Sequence, residues 1–395
     1  MAVAADTNSS PRKTLAVCGG AHALHDGFTD LLNVLYPLLQ AQFGLSYAAI
    51  GALKTVYSGA MASGQIPSGW LAGKLGGVYV LAGGTALIAV GYGLAGLTGS
   101  LYGVIVGLLL AGLGGATQHP IASTLVAGAF PAQRSRAALG TYNFTGDVGK
   151  VALPAVFALV AAAMGWRQAM LVTAAIAVVG AGLIFLTLQP AEMAAKAKDG
   201  KAIEGQDRPW AFWLLFAIHV ADSAVRSGFL IFLPFLLQAK GADLPTIGLA
   251  LSLLFAGGAA GKLVIGWLGA RLGVVRSVVL TEMATTALIL ALLPLSLTPA
   301  LALLPAVGVM LNGTSSVLYG TIPEFVTVER RTHAFAVFYT GGSVAGAAAP
   351  FLFGLLGDHI GLSPALIGVG ALALLTVPLV AALRPAFRST QVPSA

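Results

Sequence analysis

Charge is what this chain has least of. Only 9% of its 395 residues are Asp, Glu, Lys or Arg, where a soluble domain carries about 25%, so an ordinary water-facing globule is excluded. Acidic residues are fewer than basic ones, 14 against 21, yet no exposed basic domain accompanies the excess, and no nucleic-acid partner is expected. One cysteine, Cys18, excludes a disulfide framework and a cysteine-based metal site. The sequence also lacks a Walker motif, an H-E-x-x-H motif and a nucleophile–base pair. Neither an enzyme nor a bound cofactor is therefore expected, and any transport has to draw on an ion gradient or on the solute's own. Past the polar start with Pro11, Arg12 and Lys13, no small-residue cleavage site follows the first apolar stretch, so no removable signal peptide is expected.

What the chain does have is apolar length. Hydrophobic residues make up 57% of it and the mean hydropathy is +0.89. Apolar runs of helix length begin near Leu15, Tyr47, Val78, Leu101, Ala137, Gln168, Trp210, Leu244, Val274, Ala300, Ala334 and Leu362. At about 20 residues per span, these predict an all-α membrane protein of twelve transmembrane helices. Placing the N-terminus inside puts fifteen Lys and Arg on the cytoplasmic side, against Arg167 and Lys240 outside, which fixes the expected orientation. Lys54, Lys150, Arg226 and Lys262 fall inside spans. The expected organisation is a cytoplasmic tail (1–14), a six-helix bundle (15–188), a cytoplasmic linker (189–209), a second six-helix bundle (210–384) and a cytoplasmic tail (385–395). The expected location is the inner (cytoplasmic) membrane, multi-pass, with the lipid bilayer as surroundings and a monomer as the working unit.

The halves repeat at an offset of 197: His22 with His219, Pro37 with Pro234, Ile50 with Ile247, Gly51 with Gly248, Gly64 with Gly261, and GWLAGKLG from Gly69 with GWLGARLG from Gly266. Six spans repeated in one orientation imply a pseudo-two-fold axis along the membrane normal and a cavity between the halves. On these features the chain resembles the major facilitator superfamily over nearly its whole length. That family's gating loop has a Gly, an acid, a base and a second Gly. Here Gly69, Lys74 and Gly76 match, as do Gly266, Arg271 and Gly273, but Gly73 and Ala270 stand at the acidic positions. The resemblance therefore implies a cytoplasmic lock without its acid.

Three stretches, AHALHDGFTDLLNVLYPLLQ, GGATQHPIAS and TGDVGKVALP, are similar to the fosmidomycin-resistance branch of the superfamily. His22, Asp26, Tyr36, Pro37, His119 and Pro120 carry the likeness, while Asp147 and Lys150 depart from it. This branch resemblance is the sole reason to favour efflux; exchange for protons is expected from mutual exclusion of proton and solute.

At about 100° per residue, His22, His25, Asp26, Thr29, Asp30 and Asn33 share one stripe of the first helix, and Lys54, Tyr57, Ser58, Met61 and Gln65 one stripe of the second. Asn143, Asp147, Lys150 and Pro154 align in the fifth, and His219, Asp222, Ser223 and Arg226 in the seventh. An ionised group facing lipid costs at least about 2.5 to 3.5 kcal/mol, so these stripes are expected to face water or one another.

The leading expectation is a secondary transporter that exchanges a small polar, anionic solute for protons. Lys54, Tyr57, Asn143, Lys150, Arg226, His119 and Tyr339 would bind the solute, and Asp26, Asp30, Asp147, Asp222, His22, His25 and His219 would carry protons. Bland alternatives stand beside it. Asp147 and Lys150 could pair along one helix, His22 and His219 could bridge helices, Lys262 could snorkel, and Glu282, Glu324 and His333 are placed near helix ends at the interface. Two other functions stay open: movement of a metal ion or chelate held by His22, His25, Asp26, His119, His219 and Asp222, and a receptor that binds without transporting.

Overall fold

The structure, a computed structural model, describes residues 10–188, 207–327 and 330–388, and these are almost wholly helical. The linker expected at 189–209 lies outside the described residues up to position 206. The helices are α1 (Pro11–Asp30), α2 (Leu32–Phe43), α3 (Tyr47–Leu75), α4 (Gly77–Thr98), α5 (Leu101–Gly115), α6 (Gln118–Ala129), α7 (Ala132–Met164) and α8 (Trp166–Thr187). After them come α9 (Pro209–Ala239), α10 (Leu244–Leu272), α11 (Val274–Leu292), α12 (Leu297–Thr321), one 3-10 turn (Ile322–Glu324), α13 (Arg331–Ile360), α14 (Leu362–Ala382) and α15 (Arg384–Arg388). Among the described residues, ten helical stretches are long and apolar enough to cross a membrane, with α5 and α6 counted as one. The polar stripes of α1 with α2 and of α3 hold those two below the same hydropathy, and joining them gives twelve long helices in a multi-pass membrane protein.

Two interruptions have visible causes. Pro120 lacks an N–H, and its ring displaces the carbonyl four residues earlier, which is that of Ala116, where α5 gives way to α6; the Ser68 hydroxyl donates to that carbonyl at 3.3 Å. At Leu31, the Asn33 side chain donates to the Asp30 carbonyl at 3.1 Å while Val34 N–H turns back to Leu31 at 2.9 Å. The chain stays helical there, with φ −62° and ψ −23°.

The chain divides into two compact units. The first takes the chain up to Leu38 and from Val56 to the linker, and the second takes Leu39–Thr55 with everything after the linker. In the first, α1 packs on α7, and α4 on α5 and α8; in the second, α9 packs on α13, and α11 on α12 and α14. The sequence repeat is thus a repeat of packing. It is also a repeat of backbone: Gly76 (φ 95°) corresponds to Gly273 (φ 79°), and Gly165 (φ 87°) to Gly361 (φ 93°), conformations that residues with a Cβ rarely adopt. Ahead of the first pair, Lys74 lies 3.8 Å from the centre of the Trp70 ring and Arg271 4.0 Å from that of Trp267, a cation–π contact kept in both halves. A Cβ on Gly73 would meet open space, so the missing acid of the loop motif is a matter of sequence and not of room.

Within the second unit, Asp358 accepts from the N–H groups of Tyr47 (2.7 Å) and Ala48 (3.0 Å) and so caps the start of α3. Asp243 caps α10, accepting from Thr246 N–H at 3.0 Å; hydrogen bonds from the side chain and backbone of Thr246 hold its carboxyl below the usual range. Glu282 corrects the expectation that placed it near a helix end. It lies in the middle of α11 and is 2% exposed.

Candidate functional site

In the first unit, α1, α6 and α7 bring four of the expected residues together around Asp26. Lys150 Nζ lies 3.3 Å from Asp26 Oδ2, His22 Nε2 lies 3.4 Å from the same oxygen, and His119 Nε2 lies 3.7 Å from Oδ1. The Asp26 side chain is 14% exposed, whereas His119 is half exposed, which leaves the cluster one open side.

The hydrogen bonds decide where protons sit. His22 Nδ1 is 2.9 Å from the Tyr142 carbonyl. A carbonyl only accepts, so Nδ1 carries a hydrogen. A neutral His22 then turns a lone pair toward Asp26, and a carboxylate would turn another toward His22. The contact is therefore a hydrogen bond only when one of the two groups carries a further proton, and Asp26 Oδ2 is also the oxygen that Lys150 approaches.

The ring is held by stacking on Tyr142, with centroids 4.3 Å apart, and by the bare face of α7 at Gly146. A Cβ at Gly146 would fall 2.7 Å from His22 Nε2 and 2.8 Å from Asp26 Oδ2. Gly146→Ala is accordingly expected to lower stability by about 1 to 3 kcal/mol, the range of an overpacked interior, and to disturb the cluster. Gly140→Ala, on the same helix but with nothing within 4 Å, is expected to be silent. Thermal unfolding of the two variants in detergent checks the contrast.

Other residues of the α1 stripe point elsewhere. His25 donates from Nε2 to Thr85 Oγ1 at 2.8 Å, because the Thr85 hydrogen is given to the Leu81 carbonyl; its Nδ1 is buried with no partner among the described residues. Thr29 bonds Tyr57 at 2.8 Å, and Asp30 receives Asn33. Asp147 is buried and acts on Lys150 electrostatically after Asp26 and Asp30, so the helix-internal pair expected for Lys150 gives first place to Asp26. Asn143 is exposed on α7.

The metal set shrinks in the same way. His22, Asp26 and His119 offer ligand atoms within 4.8 Å of one another, while His25 faces Thr85, and His219 and Asp222 belong to the second unit. The ammonium of Lys150 lies 3.3 Å from Asp26 Oδ2, one of the oxygens such a set would offer.

The second unit repeats the scaffold with different chemistry. His219 stacks on Phe338 at 4.0 Å, as His22 does on Tyr142, and a Cβ at Gly342 would fall against His219 as one at Gly146 would against His22. Arg226 pairs with Asp222 at 3.0 Å, and Tyr339, 57% exposed, leans on Tyr319 at 4.7 Å. Lys54 is half-buried and falls in the Leu39–Thr55 segment of this unit. Of the loop-motif residues, Lys74, Gly76, Arg271 and Gly273 lie at the helix ends described above, while Gly69 and Gly266 lie more than a turn inside α3 and α10. Sequence reasoning missed Tyr142, Thr85 and Glu282; the spacing of Thr281, Glu282, Thr285 and Thr286 on one helix was the available signal for the last.

The profile of the Major Facilitator Superfamily matches residues 19–221 and again 212–394. The chain is 27% identical, over 88% of its length and 89% of the relative's, to a protein of Cupriavidus necator described as "Probable sulfoacetate transporter SauU". It is 22% identical, over 85% of its length and 87% of the relative's, to the D-galactonate transporter of Escherichia coli. Among solved structures it is similar in fold to a bacterial homologue of the human lysosomal transporter Spinster, inward-facing and occupied, with a TM-score of 0.80 at 15% identity, covering 96% of this chain and 98% of that one. A POT family transporter in complex with 5-aminolevulinic acid gives 0.76 at 13% identity, covering 94% and 96%.

Proposed function

Because the chain belongs to the Major Facilitator Superfamily and is a membrane transporter rather than an enzyme, we propose that it moves a small organic anion coupled to protons through the cluster at Asp26. The observation that supports the reading is the sharing of one carboxylate oxygen, Asp26 Oδ2, by His22 Nε2 and Lys150 Nζ. Lys150 is engaged while Asp26 is ionised. Protonation of Asp26 releases the ammonium, which can then take the carboxylate or sulfonate of a solute by a charge-assisted hydrogen bond. Proton and anion therefore favour each other's binding, which supports symport over the proton exchange expected from mutual exclusion of proton and solute. That branch likeness rests on His22, Asp26, Tyr36, Pro37, His119 and Pro120, and efflux is retained only as its corollary.

The relatives support an anionic solute: sulfoacetate and D-galactonate, in the names of the two transporters, are both small organic acids. The proposal takes a monomer in the inner membrane as its setting, and the distribution of Lys and Arg supports both termini in the cytoplasm. Calorimetric titration of the purified protein with sulfoacetate, galactonate, an uncharged sugar of similar size and a divalent metal salt, at two pH values, tests it. Binding of an acid, tighter at the lower pH, is expected. Binding of the sugar or the metal alone would replace the anion reading.

A further inference from the structure

The second unit holds a cavity that has no part in the cluster around Asp26. Its volume is about 710 Å³, and its walls are the end of α10, the start of α11, the 3-10 turn and α15. Pockets for small ligands span about 300 to 1,000 Å³. Leu272, Val275 and Phe387 are its larger apolar residues, and Arg276, Arg384 and Glu324 carry its charge. The wall made by α15 is docked on the unit: Leu383 and Ala386 are buried, Phe387 packs on Phe325 with ring centroids 5.2 Å apart, and the Arg208 side chain donates to the Ala386 carbonyl.

The charge of this cavity is unbalanced. No ion pair among the described residues includes Arg276, Arg384 or Glu324, so two guanidinium groups share the cavity with one carboxyl group. A single negative charge brought in would balance the set, and a guanidinium matches the oxygens of a phosphate in a two-pronged hydrogen bond. Gly273, the N-cap of α11, has no side chain to offer the first N–H groups of that helix, which adds the positive end of its dipole to the same wall.

The exposed face of α11 says where the anion comes from. Arg276, Leu280, Met283, Ala287 and Leu290 are all exposed, and at about 100° per residue they fall on one stripe, charged at its start and apolar from there on. The helix is a span of 19 residues, Val274–Leu292, just long enough for the hydrocarbon core of a bilayer. Its apolar stripe therefore lies against acyl chains, and Arg276, three residues into the span, lies at the depth of the lipid headgroups.

We propose that this cavity is a binding site for the phosphate group of an anionic phospholipid, held by Arg276 and Arg384, with the acyl chains lying along the exposed stripe of α11. Basic pockets at the ends of membrane helices take lipid headgroups in this way. Glu324 opposes the anion and limits its affinity, so its removal has the opposite sign to removal of an arginine. None of these residues belongs to the cluster around Asp26, and the proposal does not rest on the transport reading.

Native mass spectrometry of the delipidated full chain, titrated separately with dioleoylphosphatidylglycerol, dioleoylphosphatidylethanolamine, dioleoylphosphatidylcholine and inorganic phosphate, reads the site without any transported solute. One phosphatidylglycerol is expected to bind more tightly than either zwitterionic lipid. Arg276→Gln and Arg384→Gln should each weaken it about tenfold or more, the loss of a hydrogen bond to a charged group, and Glu324→Gln should tighten it. Arg134→Gln, which removes the same charge from an exposed position of the first unit, should leave it unchanged. Equal affinity for the three lipids, tighter binding of the ethanolamine lipid, or an affinity unmoved in either arginine variant would overturn the proposal. Inorganic phosphate binding as tightly as the lipid would also overturn it, by making the cavity a site for a soluble anion. Should the arginine variants not fold, the preference of the native protein for the anionic lipid and the tightening in Glu324→Gln decide, and absence of either contradicts the assignment.

Discussion

Asp26→Asn is expected to abolish accumulation of solute in proteoliposomes driven by a pH gradient, while leaving solute–solute exchange in place. The substituted amide, 3.4 Å from His22 Nε2 in place of the carboxyl oxygen, does not titrate near neutral pH, so the proposed coupling has no group to act through. Lys150 meanwhile loses a charged partner at 3.3 Å and becomes permanently available to an anion. Binding should therefore persist and lose its dependence on pH. Counterflow of labelled solute into loaded vesicles separates the two activities. Retention of pH-driven accumulation would move the coupling role to Asp147 or Asp30.

The second large effect is expected at the other end of the same contact. Lys150→Ala removes the cation that the solute is proposed to use and should weaken anion binding by about 1.5 to 3 kcal/mol, the value of a hydrogen bond to a charged group, or roughly 10- to 150-fold. It also strands the carboxylate of Asp26. Lys150→Arg, which restores the charge with a different reach and hydrogen-bond geometry, should recover part of the affinity, and Lys150→Ala in the Asp26→Asn background should cost less stability than in the native chain. Calorimetric affinities and unfolding temperatures of the native protein, Lys150→Ala, Lys150→Arg, Asp26→Asn and the double variant check this. Equal affinity in Lys150→Ala and the native protein would mean that the solute is not read at this lysine.

The helices and the repeat were legible because they depend on local rules. Spans follow from apolar length, and the equivalence of the two loops follows from Gly76 and Gly273, whose backbone angles admit little else. The break at Ala116 was implicit in Pro120. The site was legible only as stripes, and a stripe names a face without naming what lies opposite. His22 and His25 sit three residues apart on one helix, yet one turns to α7 and the other to Thr85 on α4, a division that depends on which helices flank α1. The sequence offered Lys150 an alternative partner in Asp147, three residues away; packing of α1 on α7 brings Asp26 within 3.3 Å of it. Glu282 was misplaced because a lone acid in an apolar run reads as a helix end when its neighbours are not known.

Sulfoacetate added to the purified protein in weakly buffered detergent with a pH-indicator dye gives the most direct measurement of coupling. If the ammonium of Lys150 leaves Asp26 for the anion, the carboxylate takes up a proton, so the dye should report net proton uptake on binding, reduced or lost in Asp26→Asn. Binding accompanied by proton release, or by no proton movement at all, would contradict a transporter in which the Asp26–Lys150 contact links the two.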